Sequence, residues 1–395
     1  MPVRHNVAAV ALLAAVLAPL HCQAEASYGI TRLPDSFSPS DINNAGQMAG
    51  VLYHVTGGPH AAVYSGGNIT DLGAFGGAYG YATAINDSGA VAGNVGTVSG
   101  EEHAFLYQDG AMRDIGAAVA LGLNASGAVV GRKATANGST GFVYHDGIVT
   151  ELGYLGSGNI SLAAAINDRG QVVGESNMAI GEQVPTHPFL YDGATLHDLG
   201  SLSSQGVSSA IAINNAGQIA GYGTSPDGRT HALFYEHGVM HDLGSFGGFD
   251  LTIGGMNQHG QLVGTGNTRN GPDVAFIYRG GALVDLNTLV DPALGWTITS
   301  AIDINDGGQI VANACRAGLC SAVRLDLAGA VPEPAGALLL LPGLLTLAGV
   351  AMGARRRNRP PAQARQCRRA GGSAAPPGSG AGSAGSSRTA PQRGT

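Results

Sequence analysis

Lysine is almost missing from this chain: Lys133 stands alone among 395 residues, Trp296 is the one tryptophan, and only 12 % of residues are charged. So few charges leave little material for the solvent faces of long amphipathic helices. No Gly-x-Ser-x-Gly, His-Glu-x-x-His or P-loop pattern occurs, which removes the usual sequence warrants for a serine hydrolase, a zinc protease or a nucleotide-binding enzyme. A Gly-x-Gly-x-x-Gly string from Gly380 to Gly385 lies in a low-complexity tail with no strand before it, so it marks no dinucleotide site. Asp-x-Asp-x-Asp-Gly loops for calcium are likewise missing. No cofactor is expected.

Glycine, by contrast, is abundant at 64 residues, as suits many short strands joined by tight turns. The stretch from Ala165 to Gly200 shows how it is used. Short apolar runs at Ile166-Asn167, Gln171 to Gly174, Phe189 to Tyr191 and Leu196 to Leu199 alternate with the turn residues Asp168-Arg169-Gly170 and Asp192-Gly193. The module recurs. Its asparagines are Asn43, Asn86, Asn124, Asn167, Asn214, Asn257 and Asn305, spaced by 43, 38, 43, 47, 43 and 48 residues. A second anchor ends at Tyr64, Tyr107, Tyr144, Tyr191, Tyr235 and Tyr278, and a third begins at Asp71, Asp114, Glu151, Asp198, Asp242 and Asp285.

Four strands in each period of about 43 residues predict an all-β protein, a seven-bladed β-propeller. The six residues from Tyr28 to Leu33 read as a lone fourth strand, whereas the seventh copy ends after its third strand, Ala322 to Leu327. The spare strand completes the short blade, and the N-terminal strand closes the ring. An open β-solenoid of the same units is the alternative, but it would leave unpaired edges that need caps.

The ends differ in kind. Residues 1–26 carry Arg4 and His5, an apolar run from Val7 to Leu20, then Ala24 and Ala26, the pattern of a secretory signal peptide. Cys22 lacks a matching lipobox and would leave with it. The propeller spans 27–327. Segment 328–357 holds Val331-Pro332-Glu333-Pro334, an apolar run at 335–354 long enough for a transmembrane helix, and Arg355-Arg356-Arg357. The basic tail 358–395 lacks apolar residues for a core and is expected to be disordered. Residues 27–327 hold 25 acids against 10 bases, so nucleic acid is not an expected partner.

The His-Ala-Phe of His103-Ala104-Phe105, with the Asp-Leu-Gly anchors, resembles the HAF family of extracellular repeats; the likeness implies export and a repeat fold and brings no activity with it. The C-terminal segment resembles a PEP-CTERM sorting signal. That resemblance implies an exosortase-type processing enzyme as partner, contact with the inner membrane during sorting, and delivery to the surface or extracellular matrix of a Gram-negative bacterium. The 38 residues after Arg357 depart from the pattern.

Candidate site residues follow from where the repeats differ. His60, His103, His187 and His231 share one repeat position, which predicts a structural role, a hydrogen bond between blades, and no metal site. The anchor aspartates are expected to cap turns. Tyr79, Tyr81, Phe249 and Trp296 fall in the stretches linking one blade to the next, where aromatic faces can stack on sugars as well as pack. Cys315 and Cys320, with four residues between them in an exported domain, are candidates for a disulfide. The expectation is a non-enzymatic structural or binding component of the extracellular polysaccharide matrix, with exopolysaccharide or surface proteins as partners. The alternative is an extracellular polysaccharide hydrolase or lyase on the same scaffold.

Overall fold

The computed structural model describes residues 28–328 apart from 182, 183, 205 and 270. The signal peptide, the sorting segment, its apolar run and the basic tail lie outside the described residues. Among the described residues no helix is long and apolar enough to cross a membrane.

Among the described residues, twenty-eight strands form seven four-stranded antiparallel sheets, each a meander. Blades 1 to 6 begin with the inner strands Phe37–Ile42, Tyr79–Ile85, Val119–Leu123, Ser161–Ile166, Ser208–Ile213 and Gly247–Met256. The seventh takes Trp296–Ile304, Ile310–Arg316 and Leu319–Leu327 from the end of the array and Tyr28–Arg32 from its start. Tyr28 pairs with Leu327 and Arg32 with Val323, so the ring is closed by main-chain hydrogen bonds between its two ends.

There is no single core. Seven apolar clusters form instead, each between two neighbouring blades. Side chains of a strand alternate between its two faces, and here both faces are covered. Val172 joins the cluster toward blade 3, and the adjacent Val173 joins the one toward blade 5. This is why the strands read as unbroken apolar runs without a polar alternate. Phe105, Phe142, Phe189 and Phe276, one residue per third strand, are fully buried. Each contributes on the order of 1.5–3 kcal/mol of burial.

Inner strands carry a register shift near the middle, in blade 4 between Ala163 and Ala165. The bulge pushes a carbonyl toward the second strand, and glycine is what lets it approach. A Cβ on Gly174 would lie 1.8 Å from the Leu162 oxygen, and Gly50, Gly93, Gly131, Gly221 and Gly264 face the same obstacle in other blades.

At the end of each inner strand sits the repeat asparagine, and all seven are buried. Asn167 Oδ1 accepts from the N–H groups of Arg169 and Gln171, which shapes the turn that Gly170 closes at φ +76°. Its Nδ2 donates to Gln171 Oε1 at 2.9 Å and to the Asn214 carbonyl of the next blade at 3.1 Å. The interblade bond repeats from Asn43 to Asn86, Asn86 to Asn124, Asn124 to Asn167, Asn214 to Asn257, Asn257 to Asn305, and Asn305 back to Asn43. Seven amides thus make a closed relay around the axis.

A buried N–H or C=O left without its partner costs about 1–3 kcal/mol, so Asn167→Ala is expected to destabilise by roughly 2–4 kcal/mol. Asn167→Asp keeps the acceptor but loses the donor while ionised. Its stability should therefore recover as pH falls and the buried carboxyl regains a proton to donate. Urea denaturation of both variants across pH checks this; an Asn167→Asp variant without pH dependence would contradict the relay.

Candidate functional site

The meander gives the ring two unlike ends. Every inner strand runs toward the asparagine turns, so those turns lie at one end. Blade-to-blade linkers and the loops joining second to third strands lie at the other, called here the linker end.

The inner strands enclose a central space of about 310 Å³ that opens among the asparagine turns. At its mouth the residue after each relay asparagine forms a second circle. Asn44 N–H donates to Asp87, Ala125 N–H to Asp168, Asp168 N–H to Asn215, Asn215 N–H to Gln258, Gln258 N–H to Asp306 and Asp306 N–H to Asn44. Ala125 has no acceptor to offer Asp87, so this circle is broken at one point.

Deeper in the channel, two residues before the asparagine, Asp41 and Asp303 stand where other blades place Ala84, Gly122, Ala165, Ala212 and Gly255. They meet where blades 1 and 7 join. Asp303 Oδ2 accepts from Ile42 N–H at 3.1 Å, and Asp41 Oδ2 accepts from Ile85 N–H at 2.7 Å. The two carboxyl groups are also hydrogen-bonded to each other. Enclosure within the channel, then the neighbouring Asp41 charge and that hydrogen bond, push the Asp303 pKa well above the ordinary carboxylate range.

Toward the linker end, the repeat histidines and the anchor aspartates turn out to be one device. His60, His103, His187 and His231 each place Nδ1 2.8–3.0 Å from both carboxylate oxygens of Asp71, Asp114, Asp198 and Asp242. Each aspartate also accepts from the N–H of the glycine two residues on, at 2.7 or 2.8 Å. The expected hydrogen bond between blades is therefore corrected: it runs within a blade, from third strand to fourth. Such His–Asp pairs are adjacent because the strands are paired, which separation in sequence does not reveal. Blade 3 replaces the pair with Lys133 and Glu151 at 2.9 Å. Blade 1 adds a histidine that the repeat pattern did not single out, His54, whose Nε2 lies 3.3 Å from Asp71 Oδ2.

The four aromatics do not lie in linkers; they occupy the opening residues of inner strands, because pairing with the second strand begins earlier than the turn residues suggest. Tyr79 and Tyr81 stack with centroids 6.0 Å apart. Tyr81 also hydrogen-bonds Glu102, and its pKa is raised by burial and by that bond. Phe249 is 67 % exposed, with the Arg229 guanidinium of the preceding blade 5.8 Å from its ring centroid. Trp296 packs partly on the cluster between blades 6 and 7 beneath Arg316. All four sit at the linker end, on blades 2, 6 and 7. So do ten of the fourteen large exposed apolar side chains among the described residues, including Tyr53, Val55, Phe75 and Val98. Cys315 and Cys320 face each other across the hairpin of blade 7 and are joined by a disulfide, also at this end.

These features define a class: a seven-bladed β-propeller whose last blade is built from both ends of the array. The propeller domain of the Trilobed protease from Pyrococcus furiosus, titled as having an open velcro topology, is similar at 13 % identity and TM-score 0.53, over 75 % of this chain and 94 % of that one. The acylaminoacyl peptidase of Pyrococcus horikoshii is similar over 77 % of this chain and 53 % of its own, at 11 % identity and TM-score 0.47. TolB from Acinetobacter baumannii is similar over 73 % and 84 %, at 11 % identity and TM-score 0.38. At such identities the likeness is one of fold alone. The sequence matches no protein-family model and no curated protein.

Because Asp303 holds its proton more tightly in the folded chain than in the unfolded one, its contribution is fully present below the ordinary carboxylate pKa of about 4. It is lost as pH rises through the raised folded value. Asp303→Asn retains an acceptor for Ile42 and supplies a permanent donor to Asp41. The variant is expected to melt at a higher temperature than the native protein near pH 8, with the gap closing toward pH 4. Melting curves at a series of pH values check this, and equal curves throughout would remove the strain assigned to Asp303.

Proposed function

We propose that this protein is an exported, surface-sorted propeller that binds or organises the polysaccharide matrix outside the cell, without enzymatic activity. The observation that carries the reading is the crowding of exposed apolar and aromatic side chains at the linker end. Aromatic faces with one polar neighbour suit the alternating apolar and hydroxyl faces of a sugar ring. Phe249 with Arg229, the Tyr79–Tyr81 stack with Glu102, and Trp296 with Arg316 are three such groups.

Export rests on the signal-peptide pattern of residues 1–26. Surface sorting rests on Val331-Pro332-Glu333-Pro334 and Arg355-Arg356-Arg357, the likeness to PEP-CTERM signals. The His-Ala-Phe anchors add the likeness to HAF repeats. An exosortase-type enzyme would then process the C-terminal segment at the inner membrane.

The enzymatic alternative has one observation in its favour, the Asp41–Asp303 pair in the channel. Glycoside hydrolysis needs carboxyl groups about 5 Å or more apart, flanking the bond to be cut. Two carboxyls hydrogen-bonded to each other are closer than that, and each is already engaged by a backbone N–H. Their arrangement suits a staple between blades better than a catalytic pair.

Affinity electrophoresis of the purified protein in gels containing the host's exopolysaccharide should show retardation. Phe249→Ala and Trp296→Ala should each weaken it roughly two- to tenfold, the size of one lost aromatic contact at about 0.5–1.5 kcal/mol. Absence of retardation, together with no retention by surface-protein extracts, would overturn the reading. Chain cleavage of the polysaccharide would favour the alternative.

A further inference from the structure

We propose that His54, His60 and Asp71 of blade 1 form a binding site for one divalent transition-metal ion, of the zinc type, with an open coordination position.

Comparison among the blades motivates this. Four blades carry the same His–Asp pair, and in blades 2 and 5 the far ring nitrogen looks toward another acid, Glu101 at 3.9 Å from His103 and Asp227 at 3.8 Å from His231. A second acid beside an imidazole suits a proton held between them. Blade 1 presents a second imidazole in place of that acid. His54 Nε2 is 3.3 Å from Asp71 Oδ2, His60 Nδ1 is 3.0 Å from the same carboxylate, and the three ligand atoms all lie within 4.8 Å of one another. The two rings meet edge-on with centroids 4.4 Å apart.

Ligand atoms about 2.0–2.1 Å from a tetrahedral zinc ion stand roughly 3.3–3.4 Å from each other. The separations of 3.0 and 3.3 Å from Asp71 Oδ2 to the two imidazole nitrogens are already near that spacing. Two imidazoles and one carboxylate form a donor set for zinc and its first-row neighbours rather than for calcium or magnesium, which prefer oxygen.

The support behind the ligands is also in place. Gly73 N–H donates to Asp71 Oδ1 at 2.7 Å, which fixes the carboxylate and leaves Oδ2 toward His54. His60 and Asp71 are fixed by the paired strands His60–Ser65 and Asn68–Gly73, whereas His54 comes from the loop after Met48–Leu52. The three side chains keep 31 %, 33 % and 39 % of their surface exposed, so an ion has a path in and a solvent-facing position left over. Binding replaces the contact between His60 Nδ1 and Asp71 with a bond from Nδ1 to the ion, and the neutral imidazole then carries its N–H on Nε2. The ion would tie the loop bearing Tyr53 and Val55 to the sheet.

The test is zinc titration of the full-length protein, stripped with a chelator, by isothermal calorimetry in two buffers of different ionisation enthalpy. Cobalt(II) absorption serves as a second readout. One ion per chain is expected, with visible tetrahedral cobalt bands. His54→Ala and His54→Gln alter an exposed loop residue that no other blade needs. Both should weaken binding by at least about 100-fold, beyond the 10–100-fold typical of losing an outer-shell partner. His103→Ala, in a blade without a second imidazole, should leave the affinity unchanged. Binding that survives both His54 variants, binding lost equally in His103→Ala, or no stoichiometric uptake would each overturn the proposal.

Discussion

The amide of the repeat asparagine is the interaction on which the rest of this structure depends. A primary amide has two acceptor positions and two donor hydrogens, and in blades 1, 4, 5 and 6 all four are used. Oδ1 folds its own turn, and Nδ2 reaches the next blade. In blades 1, 4, 5, 6 and 7 a glutamine four residues on takes the second hydrogen. In blades 2 and 3 that position is Ala90 or Ala128, and Ser88 or Ser126 donates to Oδ1 instead. A relay of this kind is satisfied only when it returns to its start. The bond from Asn305 to Asn43 gives that last donor and that first carbonyl their partners. Carbonyls buried near the axis would otherwise have no partner, at about 1–3 kcal/mol for each one left unpaired.

Closure is enforced within blade 7 and at two depths of the seam between blades 7 and 1. Residues Tyr28–Arg32 pair with Leu319–Leu327 at the outside, the asparagine relay passes through the inner turns, and Asp303 grips Ile42 in the channel. The aspartates at this seam replace small residues found elsewhere, and they carry an electrostatic cost that the other interfaces avoid. Asp303 accepts from Ile42 N–H across the join, and Asp41 accepts from the N–H groups of Ile42 and Ile85, which fits a role in holding the ends of the array together.

Function has to be sought where the repeat is broken, and the breaks are not distributed evenly. The asparagine end is nearly uniform from blade to blade, because every position there answers to the relay. The linker end carries Phe249, Trp296, the tyrosine stack, the disulfide hairpin and His54. These residues serve no constraint common to all seven blades. That freedom is what allows one end of a rigid ring to be shaped for a partner while the other end keeps it closed.

The repeat period, the number of blades and the spare first strand could all be read from spacing alone. They are properties of order along the chain, and strand pairing within a meander follows that order closely. The unbroken apolar runs likewise announced strands covered on both faces. Three things were settled only by the third dimension. The His and Asp anchors lie eleven residues apart in sequence and become one hydrogen-bonded pair because third and fourth strands run side by side. His54 was invisible as a candidate, since one histidine in a loop has no periodic partner; strand pairing carries Asp71 to it. Asp41 and Asp303, far apart in the chain, meet only because the ring closes. Sequence spacing determines which strands are neighbours, but the meeting of side chains across a blade, and across the seam, depends on pairing and closure that no local pattern records.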